Sequence, residues 1–283
     1  MNDRRVLVTS CNMRFADGAE ALLRSARTCH PEMECVCYVP TEDVQVLSGR
    51  FAGLASVRPF PNIVRGVPEK NLANVGRLFV VVPDADVAAY VDADVVFCRP
   101  APELWEVPPG SVNAVRDASI AVSNNMAGEN RDRFVRQFPE VASHKGANMG
   151  IFALRPSEWR DLAVRFQKVL TEGQYSYDYI IDQPILNALF SSRFNWLPLE
   201  FNAHGLFDAR APRGVRLVHF TGKVKPWMPQ FPRHEPAYWF WLRYGVQGAG
   251  RAHLMAIAAW IAICSPKRWA GRRFRAWLNA RGH

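Results

Sequence analysis

The run PDADVAAYVDADVVF, residues 83–97, holds the triplet Asp-Ala-Asp twice, at Asp84/Asp86 and at Asp92/Asp94. Two carboxylates separated by one residue can share a divalent metal, so each pair is a candidate. Their contexts differ. Asp84 follows Pro83 at the end of an apolar segment, and Pro with Asp is ordinary corner chemistry. Asp92 and Asp94 come directly after VAAYV, an apolar run of buried-strand type, and ligands of open α/β sheets gather beyond the carboxyl ends of strands. The first pair therefore reads as a loop and the second as the site. Farther on, RLVHFTGKVKPW (216–227) offers an imidazole, His219, at a strand end. It adds Gly222, which permits close backbone approach, and Lys225, an ammonium suited to phosphate. Aspartate oxygens with one imidazole suit Mn2+, or Mg2+ in its place, whereas a soft metal would call for thiolates.

The elements that must position these groups alternate. RRVLVTS (4–10) reads as a buried strand, and Asp17 is placed to cap a helix carrying Ala21, Leu22 and Ala26. ECVCYVP (34–40) reads as a second strand, DVQVLSGRFAGL as a second helix and SVRPFP as a third strand, the alternation of a parallel α/β sheet. An apolar helix is expected around Asn74 to Val81, then the strand VAAYV (87–91) and the strand SVNAVRD (111–117). GANMGIFALRPSEW (146–159) reads as a strand, a proline-marked turn and a helix running to about Leu170.

Composition narrows the class. With 283 residues, 49% of them hydrophobic, the chain can bury a large core. The start lacks the apolar run of an export signal, and the six cysteines show no paired spacing, so they read as core residues of a reduced, cytosolic protein. The net charge of +9 is not spread evenly: residues 251–283 carry seven cations and no acid, which leaves the body near neutral and argues against nucleic acid as a partner. AHLMAIAAWIAIC (252–264) is short of the roughly 20 apolar residues of a membrane span. The following SPKRWAGRRFRAWLNAR mixes Trp and Arg in the manner of a segment lying on an anionic membrane surface, which is favoured here over a solvated terminal helix. The division expected is a catalytic body over residues 1–235 and an amphipathic, helical basic tail over 236–283.

Several short motifs, in order, resemble glycosyltransferase family 8: VLVTSCN, Arg77, YVDADVVF, NMGIFAL followed by PSEW, DQPILNALF, LPLEFN and HFTGKVKPW. The resemblance implies a GT-A fold, the Rossmann-like mixed α/β sheet of nucleotide-diphospho-sugar transferases. It implies a retaining transfer of a hexose from a UDP-sugar, dependent on Mn2+ held by Asp92, Asp94 and His219, to a glycan or lipid-linked acceptor. It places Thr9, Asn12, Phe15, Arg77, Asp92, Asn148, Gly222 and Lys225 around the nucleotide-sugar, and Asp182 and Gln183 beside the reacting sugar. Pro184 suits the first helical position, which would make Gln183 the N-cap and Asp182 its predecessor, with both side chains presented at the helix start. Asp117, at another strand terminus, is a further catalytic candidate. Two departures stand out: Met13 occupies a first-loop position where an acceptor for the base is common, and Met149 replaces a smaller residue near the donor sugar.

Two other readings compete with this one. An inverting transferase would need a carboxylate base, for which Asp117 is the candidate. A non-catalytic scaffold binding nucleotide-sugar or membrane would tolerate loss of the metal ligands, yet all three are present. A retaining enzyme peripheral to the inner face of the cytoplasmic membrane and serving cell-surface polysaccharide or lipopolysaccharide synthesis is the favoured expectation.

Overall fold

The computed structural model describes residues 4–60, 75–78, 85–176, 181–204, 214–231 and 236–245. Ten strands appear among them: β1 (Arg5–Ser10), β2 (Glu34–Val39), β3 (Ser56–Pro59), β4 (Val87–Val91), β5 (Val95–Phe97), β6 (Val112–Ala121), β7 (Lys145–Leu154), β8 (Phe194–Leu197), β9 (Ala203–His204) and β10 (Leu217–His219). The helices are α1 (Ala16–Cys29), α2 (Val44–Arg50), α3 (Gly128–Gln137), α4 (Pro139–Ala142), α5 (Pro156–Arg160), α6 (Leu162–Glu172), α7 (Asp182–Phe190) and α8 (Pro236–Gly245). Seven strands form one sheet in the order β3-β2-β1-β4-β7-β6-β8, and β5-β10-β9 form a second.

The central strands β1, β2 and β4 of the large sheet are buried along almost their whole length because both faces are covered there, whereas the edge strands β3 and β8 are only half-buried. Successive residues go to opposite layers. Val6, Val8, Val36, Tyr38, Ala88 and Tyr90 face the layer that holds α6 and α7. Leu7, Cys35, Cys37, Val87, Ala89 and Val91 face the layer of α1. The opposite edge of α1 meets α8 through Ala21, Tyr238, Trp241 and Leu242, which share a core with Val96 and Val218 of the second sheet and with Phe220 just after it. Within the segment expected to form the tail, Pro236–Gly245 is helical and carries apolar side chains into that core.

The large sheet is mixed, as the resemblance implied: parallel across β3, β2, β1 and β4 and antiparallel where β7 enters between β4 and β6. Two local expectations about helix ends are corrected. Asp17 does not cap α1: the N-cap is Phe15, and Asp17 lies inside the first turn, where its charge favours the helix dipole and pairs with Arg50. The second helix stops at Arg50, where Phe51 turns into the core. Half of the helix expected around Asn74 to Val81 lies outside the described residues; in the described half Val75 is helical and Gly76–Leu78 forms a 3-10 turn. The expected basic tail likewise lies outside them beyond Gly245. No helix among the described residues is long and apolar enough to cross a membrane.

His30 ties α1 to the body. It packs edge-on against Phe97 and Trp105, and its Nε2 accepts the N–H of Ala101 at 3.0 Å. Accepting there requires the neutral ring, and burial lowers its pKa from 6.5 despite the opposing pull of Glu32. The unfolded chain then binds the proton more readily than the folded one, so this contribution is complete above pH 6.5 and is lost as pH falls through the depressed folded value. Urea melts between pH 7.5 and 5 are expected to show stability falling below pH 6.5, with a shallower fall in His30→Gln, which keeps an acceptor that does not titrate.

Candidate active site

The triplet Asp92-Ala93-Asp94 is the junction at which the chain leaves the large sheet, at the end of β4, and enters the small one as β5. Its backbone is pinned on both sides. Asp92 N–H donates to Gly150 O of β7 at 2.7 Å, and Phe220 N–H, just after β10, donates to Asp94 O at 2.9 Å. A turn bond from Val95 N–H to Asp92 O closes the bend at 3.1 Å. Ala93 points into the α1 layer, so the alternation that buries the alanine turns both aspartates the other way. Antiparallel pairing of β10 with β5 sets His219 opposite Val95, beside the carboxylates. One ligand atom from each of Asp92, Asp94 and His219 lies within 4.8 Å of the other two.

The donor set suits a hard divalent cation. Asn202 Oδ1 lies 2.9 Å from His219 Nδ1, and accepting that proton leaves the Nε2 lone pair facing the carboxylates, the usual outer contact of a metal-bound histidine. Gly150 makes the room. A Cβ there would lie 2.5 Å from Asp92 Oδ2 and 2.5 Å from His219 Cε1, so any side chain would push the ligands apart.

Around this cluster the charges are buried and paired. Arg77 donates to Asp92 Oδ1 at 3.2 Å and to Met149 O at 2.9 Å, pairs with Asp182, and lies over the Tyr90 ring. Its own carbonyl accepts the Trp159 indole N–H at 2.8 Å, which fixes the 3-10 turn to α5. Burial opposes the charge on Arg77, but Asp182 and Asp92 outweigh it and hold the guanidinium more firmly protonated than usual. Burial raises the Asp182 carboxyl even with Arg77 beside it. Burial works the same way on Asp94, yet His219 and Lys225 overcome it and keep that carboxyl well below the usual range. Lys225 pairs with Asp94 and donates to Phe220 O at 2.8 Å.

These groups line a cleft of about 380 Å³, within the range of small-molecule sites. Of the residues singled out from the sequence, Phe15, Arg77, Asp92, Asp94, Asn148, Asp182, Gln183, His219, Gly222 and Lys225 line it. Gly222 has φ of +100°, a backbone state that glycine adopts freely. Phe15 stands edge-on to Trp227 at 5.7 Å, and Trp227 itself fills the space a Cβ on Gly18 would need, which docks the lysine loop onto α1. Thr9 and Asn12 are not among the lining residues. Thr9 is wholly buried in β1, and both Thr9 Oγ1 and Asn12 Oδ1 are buried with no hydrogen-bond partner among the described residues. Asp117 lies one contact behind the lining, accepting from Gln183 Nε2 at 3.1 Å. Met13 exposes its thioether and donates its N–H to Asp43 at 3.2 Å. Asp86 accepts the Arg4 N–H in the bend before β4, and Asp84 lies outside the described residues.

The helix α7 begins two residues earlier than the sequence suggested. Ile181 is the N-cap, Asp182 and Gln183 are already helical, and Asp182 is only 1% exposed. The proline does occupy the first turn, but the strong Arg77–Asp182 pair draws the helix start inward. Asn187, one turn along, clips α7 to β7 by bonding both N–H and C=O of Ala147, at 2.6 and 2.9 Å. Sequence reasoning missed Asn187, Asn202, Gly150, Tyr90 and Ser10 as contributors. Asn202 and Asn187 sit inside quoted motifs, yet only the fold shows what each touches.

A mixed sheet flanked by helices, with a carboxylate pair at the end of a central strand and a histidine meeting it from a second sheet, is the architecture of the GT-A fold. The chain belongs to glycosyl transferase family 8, whose family model matches residues 76–230, more than half of its length, and it is a glycosyltransferase. Among solved structures it is similar to the bifunctional glycosyltransferase WbbM, with a TM-score of 0.65 at 18% identity over 90% of this chain and 52% of that one. It is similar to the galactosyltransferase LgtC, solved with donor and acceptor sugar analogues, with a TM-score of 0.58 at 16% identity over 94% and 99%. It also resembles the glycosyltransferase GlyE of Streptococcus pneumoniae TIGR4, with 0.61 at 16% over 93% and 64%. The chain thus spans about half of WbbM, and at these identities the likenesses show the fold alone. No curated protein has significant sequence similarity to the chain.

Because Gly150 is the floor of the ligand cluster, Gly150→Ala is expected to weaken Mn2+ binding by about 10–100-fold, the range seen when supporting groups of a metal site are lost. Calorimetric titration of Mn2+ in the presence of UDP checks this, and an unchanged affinity would separate Gly150 from the site.

Proposed function

We propose that the chain is a retaining glycosyltransferase that moves a hexose from a UDP-sugar to a glycan or lipid-linked acceptor, with Mn2+ held by Asp92, Asp94 and His219. The observation that carries this is the convergence of those three donors at the base of a cleft that also presents Lys225, Gly222, Asp182 and Gln183. When bound, the metal supplies Lewis-acid neutralisation of the leaving diphosphate. Lys225 and the backbone beside Gly222 stand where the same developing charge can be met. Gln183 is presented with its amide oriented at both ends, Oε1 accepting Met149 N–H at 3.2 Å and Nε2 donating to Asp117. Asp182 is held by Arg77 and lines the cleft, and the role in keeping with the family resemblance is a contact to a donor-sugar hydroxyl.

The carboxylate inventory favours retention over inversion. An inverting enzyme needs a carboxylate free to deprotonate the acceptor. Among the described lining residues the carboxylates are Asp92, Asp94 and Asp182, two assigned to metal and one paired with Arg77. Asp117 is engaged by Gln183, which makes it a positioning group here. Front-face attack, in which the departing phosphate takes the acceptor proton, needs no enzyme base.

The uracil preference rests on the family resemblance and on the Phe15 ring at the cleft edge. The cytoplasmic, membrane-surface location rests on the Trp/Arg composition of residues 252–281 and on their net positive charge. Synthesis of a cell-surface polysaccharide or lipopolysaccharide is the role in keeping with both.

Release of free nucleotide from UDP-, GDP- and CMP-sugars, with Mn2+ or EDTA, tests the donor. Slow hydrolysis of one UDP-sugar is expected, lost with EDTA and lowered by at least about 100-fold in Asp94→Ala. If no donor is either hydrolysed or bound, the transferase proposal fails. Separately, sedimentation with phosphatidylglycerol vesicles is expected to carry the full-length protein down at low salt, with little retained at 0.5 M NaCl, roughly the regime where screening shortens to a few ångströms. Equal recovery on neutral phosphatidylcholine would remove the electrostatic tail from the account.

A further inference from the structure

Both carboxylates of the metal cluster are already in contact with cations of the protein itself. Arg77 holds Asp92, and Lys225 holds Asp94 Oδ2 while His219 Nε2 lies 3.2 Å from Asp94 Oδ1. Lys225 is buried, with Phe220 O as its second acceptor and the Phe15 ring centroid 6.0 Å from Nζ. Its ammonium on Oδ2 offsets the charge of the same carboxylate whose Oδ1 faces His219, charge that a divalent ion there would use.

Formal charge sharpens the conflict. With His219 in the neutral form that ligates a metal, Asp92, Asp94 and Asp182 set against Arg77 and Lys225 leave the cleft one negative charge. A divalent ion alone would turn that into one positive charge, while the exposed Lys223 at the rim is screened by solvent. In a site this buried, such an excess is costly unless an anion arrives with the metal. A diphosphate brings that anion, and it gives Lys225 somewhere to go. The lysine stem is flexible, so Nζ can pivot from Asp94 to a phosphate oxygen without movement of the backbone around Gly222.

We propose that Lys225 competes with the metal for Asp94 and is released by a nucleoside diphosphate, so that divalent cation and nucleotide bind as a coupled pair. This rests on Asp92, Asp94 and His219 being the metal ligands. By linkage the coupling is mutual: the nucleotide tightens metal binding by the same factor by which the metal tightens nucleotide binding.

The test is calorimetric titration of Mn2+ into the wild type, Lys225→Met and Lys223→Met, each with and without saturating UDP. For the wild type, UDP is expected to tighten Mn2+ binding by about tenfold or more. Lys225→Met is expected to bind Mn2+ alone about tenfold tighter than the wild type and to gain only a few-fold from UDP. Lys223→Met removes an equal charge from the same loop without touching Asp94, and its Mn2+ affinity in the absence of UDP should stay within about threefold of the wild type. Thermal melts establish that each variant is folded. Should Lys225→Met not fold, Lys225→Gln serves the same comparison while keeping a donor for Phe220 O. The proposal is overturned if the lysine variant binds Mn2+ alone no tighter than the wild type, or if Lys223→Met gains as much. If no protein binds Mn2+ even with UDP, the metal-site assignment falls and takes this proposal with it.

Discussion

The structure is organised by the need to hold three carboxylates next to one another, two of them buried. Asp92, Asp94 and Asp182 converge on one cleft, and their proximity, with the burial of Asp94 and Asp182, is costly unless a cation or a ligand is at hand. Arg77 answers two of them at once, and Lys225 with His219 answers the third. Such pairs add little net stability relative to an apolar core, so their value lies in fixing a geometry. Here they fix the start of α7, the 3-10 turn carrying Arg77 and the lysine loop against one strand end.

That strand end works as a hinge point of topology. β4 stops, two carboxylates turn to one side, and the chain re-enters a different sheet as β5. Each neighbour contributes one constraint: β7 a carbonyl and the side-chain-free Gly150, β10 the histidine, and the residue after β10 an N–H. Insertion of β7 antiparallel to β4 is what brings Gly150 to that place, since its register sets Val91 opposite Ile151. A wholly parallel sheet would have put a different element there.

Gln183 and Asp117 illustrate how a weak chemical group acquires direction. An amide is a poor nucleophile, but one whose two ends are tied to Asp117 and to the Met149 backbone holds its dipole in one orientation in the cleft. The carboxylate at one end of this arrangement, Asp117, stands behind the cleft lining and orients the amide from there.

Much of this was legible in the residues themselves. Strand-type apolar runs located β1, β2 and β4, and the choice between the two Asp-Ala-Asp triplets followed from what precedes each. Cationic residues gathered after 250 were plain from counting. Helix starts were less legible: Asp17 and Gln183 looked like caps by residue type, yet Phe15 and Ile181 hold those positions, and Asp17 and Asp182 stand in the first turn, paired with Arg50 and Arg77. By itself the sequence determined the chemistry present, hard oxygen donors with one imidazole and a lysine, since residue type and strand position are local properties. Only the tertiary structure decided which groups meet. Asn202 behind His219, Gly150 beneath the ligands and Lys225 on Asp94 are pairings across 17, 58 and 131 residues of chain. Such contacts are set by sheet order and register, which no local pattern encodes.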